Sequence, residues 1–493
     1  MRIVPQLDRQ SRLIVLVQKP TGKIAISLAF AVLLLLNGES LYIELATIAA
    51  ALSFFPRQRR IMLSGATLYW LLVHPNLIRR SLIHSVAAAE GFAEGWRLGL
   101  LTAATMCAVL GALGLLLGFV GKRPNHLVGK RPVLVMVVSF LCLLMAAGTL
   151  PLHGAPRIAA WMLLALAGPY LWFFAYALDD YASRAHDPYR LQIGTFFPFW
   201  VGSNSSSTPI GKGAAYLRKM EAHTPKDLAV AQLKAIKLLI WLLYLRLALT
   251  VFHAIVYGGV FPAAEAFFRA RGFPLLNLGV PTLAVALDQT AAGHLPRLSV
   301  AWAAVVAHFI AALVGVPIAG NMVVACTRMA GFNILRNTYK PLYATTVAEF
   351  WNRFYFYFKE LLVEFFFFPT YVRYFKRHRR LRLAAATFAA ATLGNLVYHF
   401  CRDSEYVFEM GFWPALAGLQ VYAFYALVLG GAIAVSQLRG KRAPETLPLY
   451  RRAMSSAGVI GFYCLLEIFD YEGRGHLLRT HLAFFVHLFA LPL

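Results

Sequence analysis

His399 is the side chain of this sequence best suited to moving a proton inside a bilayer. It lies near the end of an apolar stretch, Leu383 to Phe400, made mostly of Ala, Leu, Phe and Val. Thr392, Asn395 and His399 recur there at spacings of three and four, which places them on one face of a helix. Asn395 falls one turn before His399, where an amide can orient an imidazole. At ~1.5 Å per residue His399 lies ~24 Å from the basic end of that helix, well across a ~30 Å hydrocarbon core. An isolated membrane histidine is often only a packing residue. An ionisable group at such depth is nonetheless costly, and it marks a functional candidate.

A second polar set precedes it. From Val347 to Phe368 the spacing predicts one helix, with Glu349, Arg353, Tyr357, Glu360 and Glu364 along one face and Trp351, Tyr355, Phe358 and Leu362 along another. Each charged residue at mid-membrane costs ~2.5–3.5 kcal/mol on insertion scales, so the charged stripe must meet protein, water or headgroups. Two readings stay open: an interfacial amphipathic helix in which Glu349 and Arg353 pair at i, i+4, or a helix lining a reaction cavity. In the second, Trp351, Arg353 and Glu360 are candidate substrate contacts. Glu360 and Glu364 repel one another, so a cation such as Arg353 or Lys359, or water, should accompany them.

The elements that must hold these residues are membrane spans. The chain has 493 residues, 59% of them hydrophobic, with mean hydropathy +0.62, well above the ~45–50% apolar share of soluble domains. The sequence predicts an all-α polytopic membrane protein, one domain over residues 1–493. About eleven transmembrane helices are expected, with re-entrant or interfacial helices around a central cavity. The expected spans are Ile24–Leu36 with Leu41–Phe55, Ile61–Val73, Leu98–Val120, Pro132–Leu150, Ile158–Leu178, Leu233–Tyr257, Val300–Ala325, Leu383–Phe400, Phe412–Gln437, Met454–Phe469 and Leu482–Leu493. No cleavable signal peptide is evident, so the first spans are expected to serve as uncleaved anchors.

Lys and Arg number 47 against 22 Asp and Glu. That surplus would suggest nucleic acid in a soluble chain, but here it is concentrated in loops, as the positive-inside rule requires, and no nucleic-acid partner is expected. Arg57–Arg60, Lys122–Arg131, Arg373–Arg382 and Arg439–Arg452 are assigned to the cytoplasmic side of the inner membrane, and acidic Asp403–Glu409 to the other. His399 then lies nearer the far face.

Other motifs carry less. The five cysteines form no CxxC pair and imply neither disulfides nor zinc, and the 14 histidines show no ligand spacing, so no metal is expected. Gly111, Gly114 and Gly118 lie inside an apolar helix and read as helix packing. Gly202–Lys212 is too irregular for a phosphate loop, and its Ser203–Thr208 run reads as a turn. Asp179-Asp180 lacks the second acidic cluster that a Mg²⁺-diphosphate site needs. Phe261–Pro296 is expected outside, either as a cap on a cavity exit or as a re-entrant connector.

The run GFNILRNTYKPLYATTVAEFWNRFYFYFKELLVEFFFFP from Gly331, followed by the helix bearing His399, resembles the membrane-bound O-acyltransferase family, particularly bacterial members that acylate cell-surface polymers. The likeness covers roughly Asn321 to His399, a core segment of residues 321–400. TPIGKGAAYLRKM, Thr208 to Met220, resembles an earlier family loop more loosely. The resemblance implies that His399 stands at the family's catalytic histidine. Where the family pattern FW-x-R-W-H places His or Asn, this chain has Tyr355, whose phenol can still hydrogen-bond.

The resemblance further implies a general-base mechanism on a thioester, with acyl-CoA or acyl carrier protein as donor at the cytoplasmic face and no bound cofactor. His399 is the base, Asn395 orients it or polarises the acyl carbonyl, and Tyr355 donates a hydrogen bond. Expected partners are membrane lipid, that donor, and an extracytoplasmic acceptor or partner transferase. Cell-envelope polysaccharide or lipid modification is the expected setting. The competing expectation is a non-catalytic transporter or assembly scaffold that keeps the fold, in which case polar stripes should run along several spans.

Overall fold

A computed structural model describes residues 4–73, 80–91, 96–123, 126–182, 212–259, 266, 269–272, 276–439, 448–470 and 476–490. Among these residues the chain is all-helical, and its one extended pairing is an isolated antiparallel bridge between Glu221 and Phe332. Among the described residues six helices are long and apolar enough to cross a membrane: Trp96–Val120, Pro225–Val256, Leu298–Met329, Arg379–Arg402, Gln420–Leu438 and Leu449–Asp470. The chain is therefore a multi-pass membrane protein.

Among the described residues the expected count of about eleven spans is not confirmed, and several apolar stretches form helices too short for a ~30 Å core. Tyr42–Phe54 has 13 residues and Leu478–His487 has ten. Phe412–Gln437 is two helices, Phe412–Gly418 and Gln420–Leu438. At the N-terminal end Ser11–Gln18 and Pro20–Leu36 meet at 102° and together can make a seventh span. Pro20 sets that corner, since a proline drives the preceding residue out of the helical region, and Lys19 is extended at φ −79°, ψ 153°. Gly22 makes the corner tight: a Cβ there would fall 1.9 Å from the Leu16 carbonyl oxygen.

The chain forms two compact units. The first comprises residues 1–241, 319–337 and 398–415. In it Trp96–Lys122 and Pro132–Thr149 pack on Ala155–Ala182, and Pro20–Leu36 packs on Tyr42–Phe54.

The second comprises residues 242–318, 338–397 and 416–493. Its hub is Gln420–Leu438, which packs against Val347–Phe354, Arg379–Phe388, the following 389–394 segment, Leu449–Asp470 and Leu478–His487. A helix can meet that many neighbours only if part of its surface is small, and here Ala426 and Gly430 are buried at the contacts. Gly430 sits where a Cβ would lie 2.2 Å from Thr392 Oγ1.

Candidate functional site

Most of the residues singled out by spacing lie in the second unit, beginning with Val347–Phe354. Its N-cap is Thr346, whose hydroxyl accepts the Glu349 N–H at 3.1 Å. The Glu349 carboxylate reaches back to the Thr345 N–H at 2.9 Å, a variant of the capping box, and accepts Arg353 Nε and Nη2 at 3.0 and 2.8 Å. Burial by itself would raise the Glu349 carboxyl pKa, but the Thr345 and Arg353 donors outweigh it and hold it below the usual carboxylate value. Arg353 is thus occupied by an i, i+4 ion pair, with both donors on one Glu349 carboxylate oxygen, and that pair fixes the helix start.

The single helix expected over Val347–Phe368 is broken. Tyr355 leaves the helical region at φ −121°, ψ 60°, and separates Val347–Phe354 from Phe356–Leu362. A π-helical turn, Val363–Phe367, and the short helix Phe368–Arg373 follow. Beyond the break, Tyr357 is 1% exposed in the core. Tyr355 packs its ring 4.9 Å from that of Trp351 and 4.5 Å from that of Phe354. Glu360 pairs with its neighbour Lys359, one of the two cations expected to accompany it.

The helix that carries Asn395 is also irregular. Ala389–Gly394 is a π-helical segment, and α-helical geometry resumes at Asn395 and runs to Arg402. π-Turns widen a helix locally and are frequent at functional sites. Gly394 permits this one, because a Cβ there would fall 2.7 Å from the Phe366 ring. Thr392 Oγ1 donates to the Ala426 carbonyl at 2.9 Å, and Asn395 Oδ1 accepts from Tyr422 at 3.4 Å. Ala426 and Tyr422 are one turn apart, so both side chains look into Gln420–Leu438, as their spacing predicted. Asn395 is wholly buried, and its Nδ2 has no hydrogen-bond partner.

Sequence reasoning missed the surroundings of that amide. Tyr422 stacks on Tyr425 at 5.2 Å, and Tyr425 is within Coulombic reach of Asp470, Tyr422, Tyr355 and Glu467. His308 on Leu298–Met329 lies 3.7 Å from Glu467. Tyr463 stacks on Phe350 at 4.0 Å and donates to the Val347 carbonyl at 2.9 Å. Glu467 and Asp470 had a visible signal, two acids three residues apart at the end of an apolar span. Tyr422 and Tyr425 had none, since tyrosines in an apolar run look like packing.

His399 belongs to the first unit, one turn after Asn395 on the same helix. It is 8% exposed, and its ring lies edge-on to Tyr398 at 5.4 Å. Tyr398 in turn stacks on Trp172 at 6.0 Å. One residue beyond the helix, Asp403 is paired with Arg402. Of the secondary motifs, Ser203–Thr208 and most of Gly202–Lys212 and Arg439–Arg452 lie outside the described residues, as do parts of Phe261–Pro296 and Lys122–Arg131. Among the described residues no three His, Cys, Asp or Glu side chains are grouped to hold a metal ion.

In chemical terms, the second unit presents a buried amide whose oxygen accepts from the Tyr422 hydroxyl and whose nitrogen is an unpaired donor, a group that can donate a hydrogen bond to a polarised oxygen. No family model matches the chain, and no curated protein sequence matches it.

Proposed function

We propose that this protein is an O-acyltransferase of the cytoplasmic membrane, moving an acyl group from a thioester to a hydroxyl of a cell-surface glycan or lipid. The observation that carries the reading is Asn395. A wholly buried amide with an unpaired Nδ2 costs about 1–3 kcal/mol, and such a cost is tolerated where the donor serves a reaction. It precedes His399 by one helical turn, and a π-segment ends just before it.

In the proposed reaction His399 takes the proton of the acceptor hydroxyl as that oxygen bonds to the thioester carbonyl carbon. The oxyanion so formed accepts hydrogen bonds from Asn395 Nδ2 and from the Tyr355 hydroxyl. The carbonyl re-forms as the C–S bond breaks, and the imidazolium returns the proton to the departing thiolate. The donor is acyl-CoA or acyl carrier protein, which approaches from the cytoplasmic side. The acceptor lies on the other side.

The test is transfer of radiolabelled acyl groups from a thioester to membrane or surface material, at equal membrane abundance. His399→Ala should lose about 10²–10⁴-fold. Tyr355→Phe should lose less, and Tyr355→His should be tolerated. Full transfer by His399→Ala would eliminate the mechanism.

One observation favours a second reading, a transporter. Ionisable groups also lie on other spans, with His308 3.7 Å from Glu467 and Asp470 one turn on, as in a proton-coupled pathway. Absence of transfer with several donors, together with proton uptake that Glu467→Gln abolishes, would select it.

A further inference from the structure

The second unit carries a basic turn, apart from every residue placed in the proposed reaction. Residues 374–378 join the helices Phe368–Arg373 and Arg379–Phe388. Tyr374 is extended at φ −108°, ψ 155°, and Phe375 turns the chain at φ +50°, a left-handed conformation that a phenylalanine seldom adopts. The His378 N–H donates to the Phe375 carbonyl at 3.0 Å, and the Arg382 N–H donates to the His378 carbonyl at 2.8 Å. Arg382 closes the turn from its far side. Its Nε donates to the Tyr371 carbonyl, and its guanidinium lies 4.0 Å from the centre of the Tyr371 ring, which stacks on Phe367 at 5.5 Å. Both ends of the turn are therefore fixed.

Six Lys and Arg fall within residues 373–382, and no Asp or Glu occurs between Glu364 and Asp403. The side chains of Arg373, Lys376, Arg377, Arg379 and Arg380 are exposed and make no hydrogen bond or ion pair with any described residue. Val372, Tyr374, Phe375 and Leu381 are interleaved with them, each about half exposed. Arg379 is also the first residue of the span Arg379–Arg402, so the turn stands where that helix leaves the hydrocarbon. The positive-inside rule accounts for the sign of the charge but does not call for exposed apolar groups between the cations. A soluble acidic partner would answer the cations and leave those groups wet. A layer of phosphate headgroups answers both, because phosphate oxygens match the guanidinium and ammonium donors and amphipathic rings settle at headgroup level.

We propose that residues 372–382 dock on the headgroups of anionic phospholipids, with the cations on the phosphates and Tyr374 and Phe375 seated among the headgroups. The proposal goes beyond acyl transfer and needs no acyl group, so lipid binding alone tests it.

The experiment is native mass spectrometry of the purified full-length protein in a neutral detergent, titrated with phosphatidylglycerol or with phosphatidylcholine of the same acyl chains. Phosphatidylglycerol should bind at least about tenfold more tightly, since each cation near an anionic surface contributes about fivefold. A triple variant, Lys376→Gln with Arg377→Gln and Arg380→Gln, should lower its association constant about tenfold or more. An equal loss of charge in the first unit, Arg9→Gln with Arg12→Gln and Lys19→Gln, should leave that constant unchanged. Tyr374→Ser with Phe375→Ser should weaken phosphatidylglycerol as well. Every substituted side chain is exposed, so each variant should keep the wild-type melting temperature. Equal binding of the two lipids by the wild-type protein, or equal weakening by both triple variants, would overturn the proposal. Full binding by the Tyr374→Ser, Phe375→Ser protein would also overturn it, and would assign the cations to a soluble acidic partner.

Discussion

The hydroxyl of Tyr422 donates to Oδ1 of Asn395 at 3.4 Å, which ties the Gln420–Leu438 helix to the first residue of Asn395–Arg402. One end of the amide is thereby held, and the other, Nδ2, is buried without a partner. The arrangement orients the amide and leaves one buried donor unpaired, at a cost in stability.

Asn395→Leu should separate these two effects. Leucine has a similar volume and removes the unpaired donor, so the melting temperature should match or exceed that of wild type. Acyl transfer should fall at least about tenfold, as for loss of an oriented donor to a developing oxyanion. Thermal unfolding and the transfer assay, run on the same preparation, check both. A lower Tm together with full transfer would make Asn395 a structural amide.

Gly430→Ala should disturb the hub helix. The new Cβ would sit 2.2 Å from Thr392 Oγ1, and overpacking of this kind costs about 1–3 kcal/mol. Thr392→Ala removes the clashing oxygen, so the double variant should be less destabilised than Gly430→Ala alone. A double-mutant cycle on thermal unfolding measures that coupling. Additive effects would contradict the contact.

Glu349 gives stability a defined dependence on pH. Its carboxyl pKa is held below the ordinary 4.5 in the folded protein. The contribution is therefore complete above the unfolded value and is lost as the pH falls through the folded one. Glu349→Gln should destabilise the protein by about 1 kcal/mol at neutral pH. The gap from wild type should narrow progressively as the pH falls below 4.5 and through the lower folded-state value. Unfolding midpoints across that range test the sign. A gap that widens on acidification would be the wrong one.

Orientation can be read with cysteine labelling. In a background with the five native cysteines changed to Ser, Glu409→Cys should react with an impermeant maleimide in intact cells. Arg377→Cys should react only after permeabilisation, as the basic loop Arg373–Arg382 requires. Reaction of both from the same side would refute the assignment of sides.

How much was legible can be judged from particular residues. The helical class and the long spans were plain, because a run such as Leu298–Met329 has no other way to satisfy its backbone in lipid. Thr392 and Asn395 on one face was also legible, since α-helical periodicity survives a single π-turn well enough to keep both against Gln420–Leu438. The Glu349–Arg353 pair followed from i, i+4 spacing alone. The break at Tyr355 did not follow. Nothing local to Phe354-Tyr355-Phe356 forbids a helix, and the chain turns there in a unit where Thr338 Oγ1 donates to the Phe354 carbonyl and Tyr339 N–H to that of Arg353.

The sequence by itself determined that this is a helical membrane protein, because hydropathy and period are properties of consecutive residues. Only the tertiary structure decided how many apolar stretches make a helix long enough to span. It likewise decided that Tyr422 answers Asn395, and that Arg59 pairs with Glu221. Those residues are separated by tens to hundreds of positions. Burial and hydrogen bonding across such distances depend on which helices pack together, and periodicity within any one helix carries no record of its neighbours.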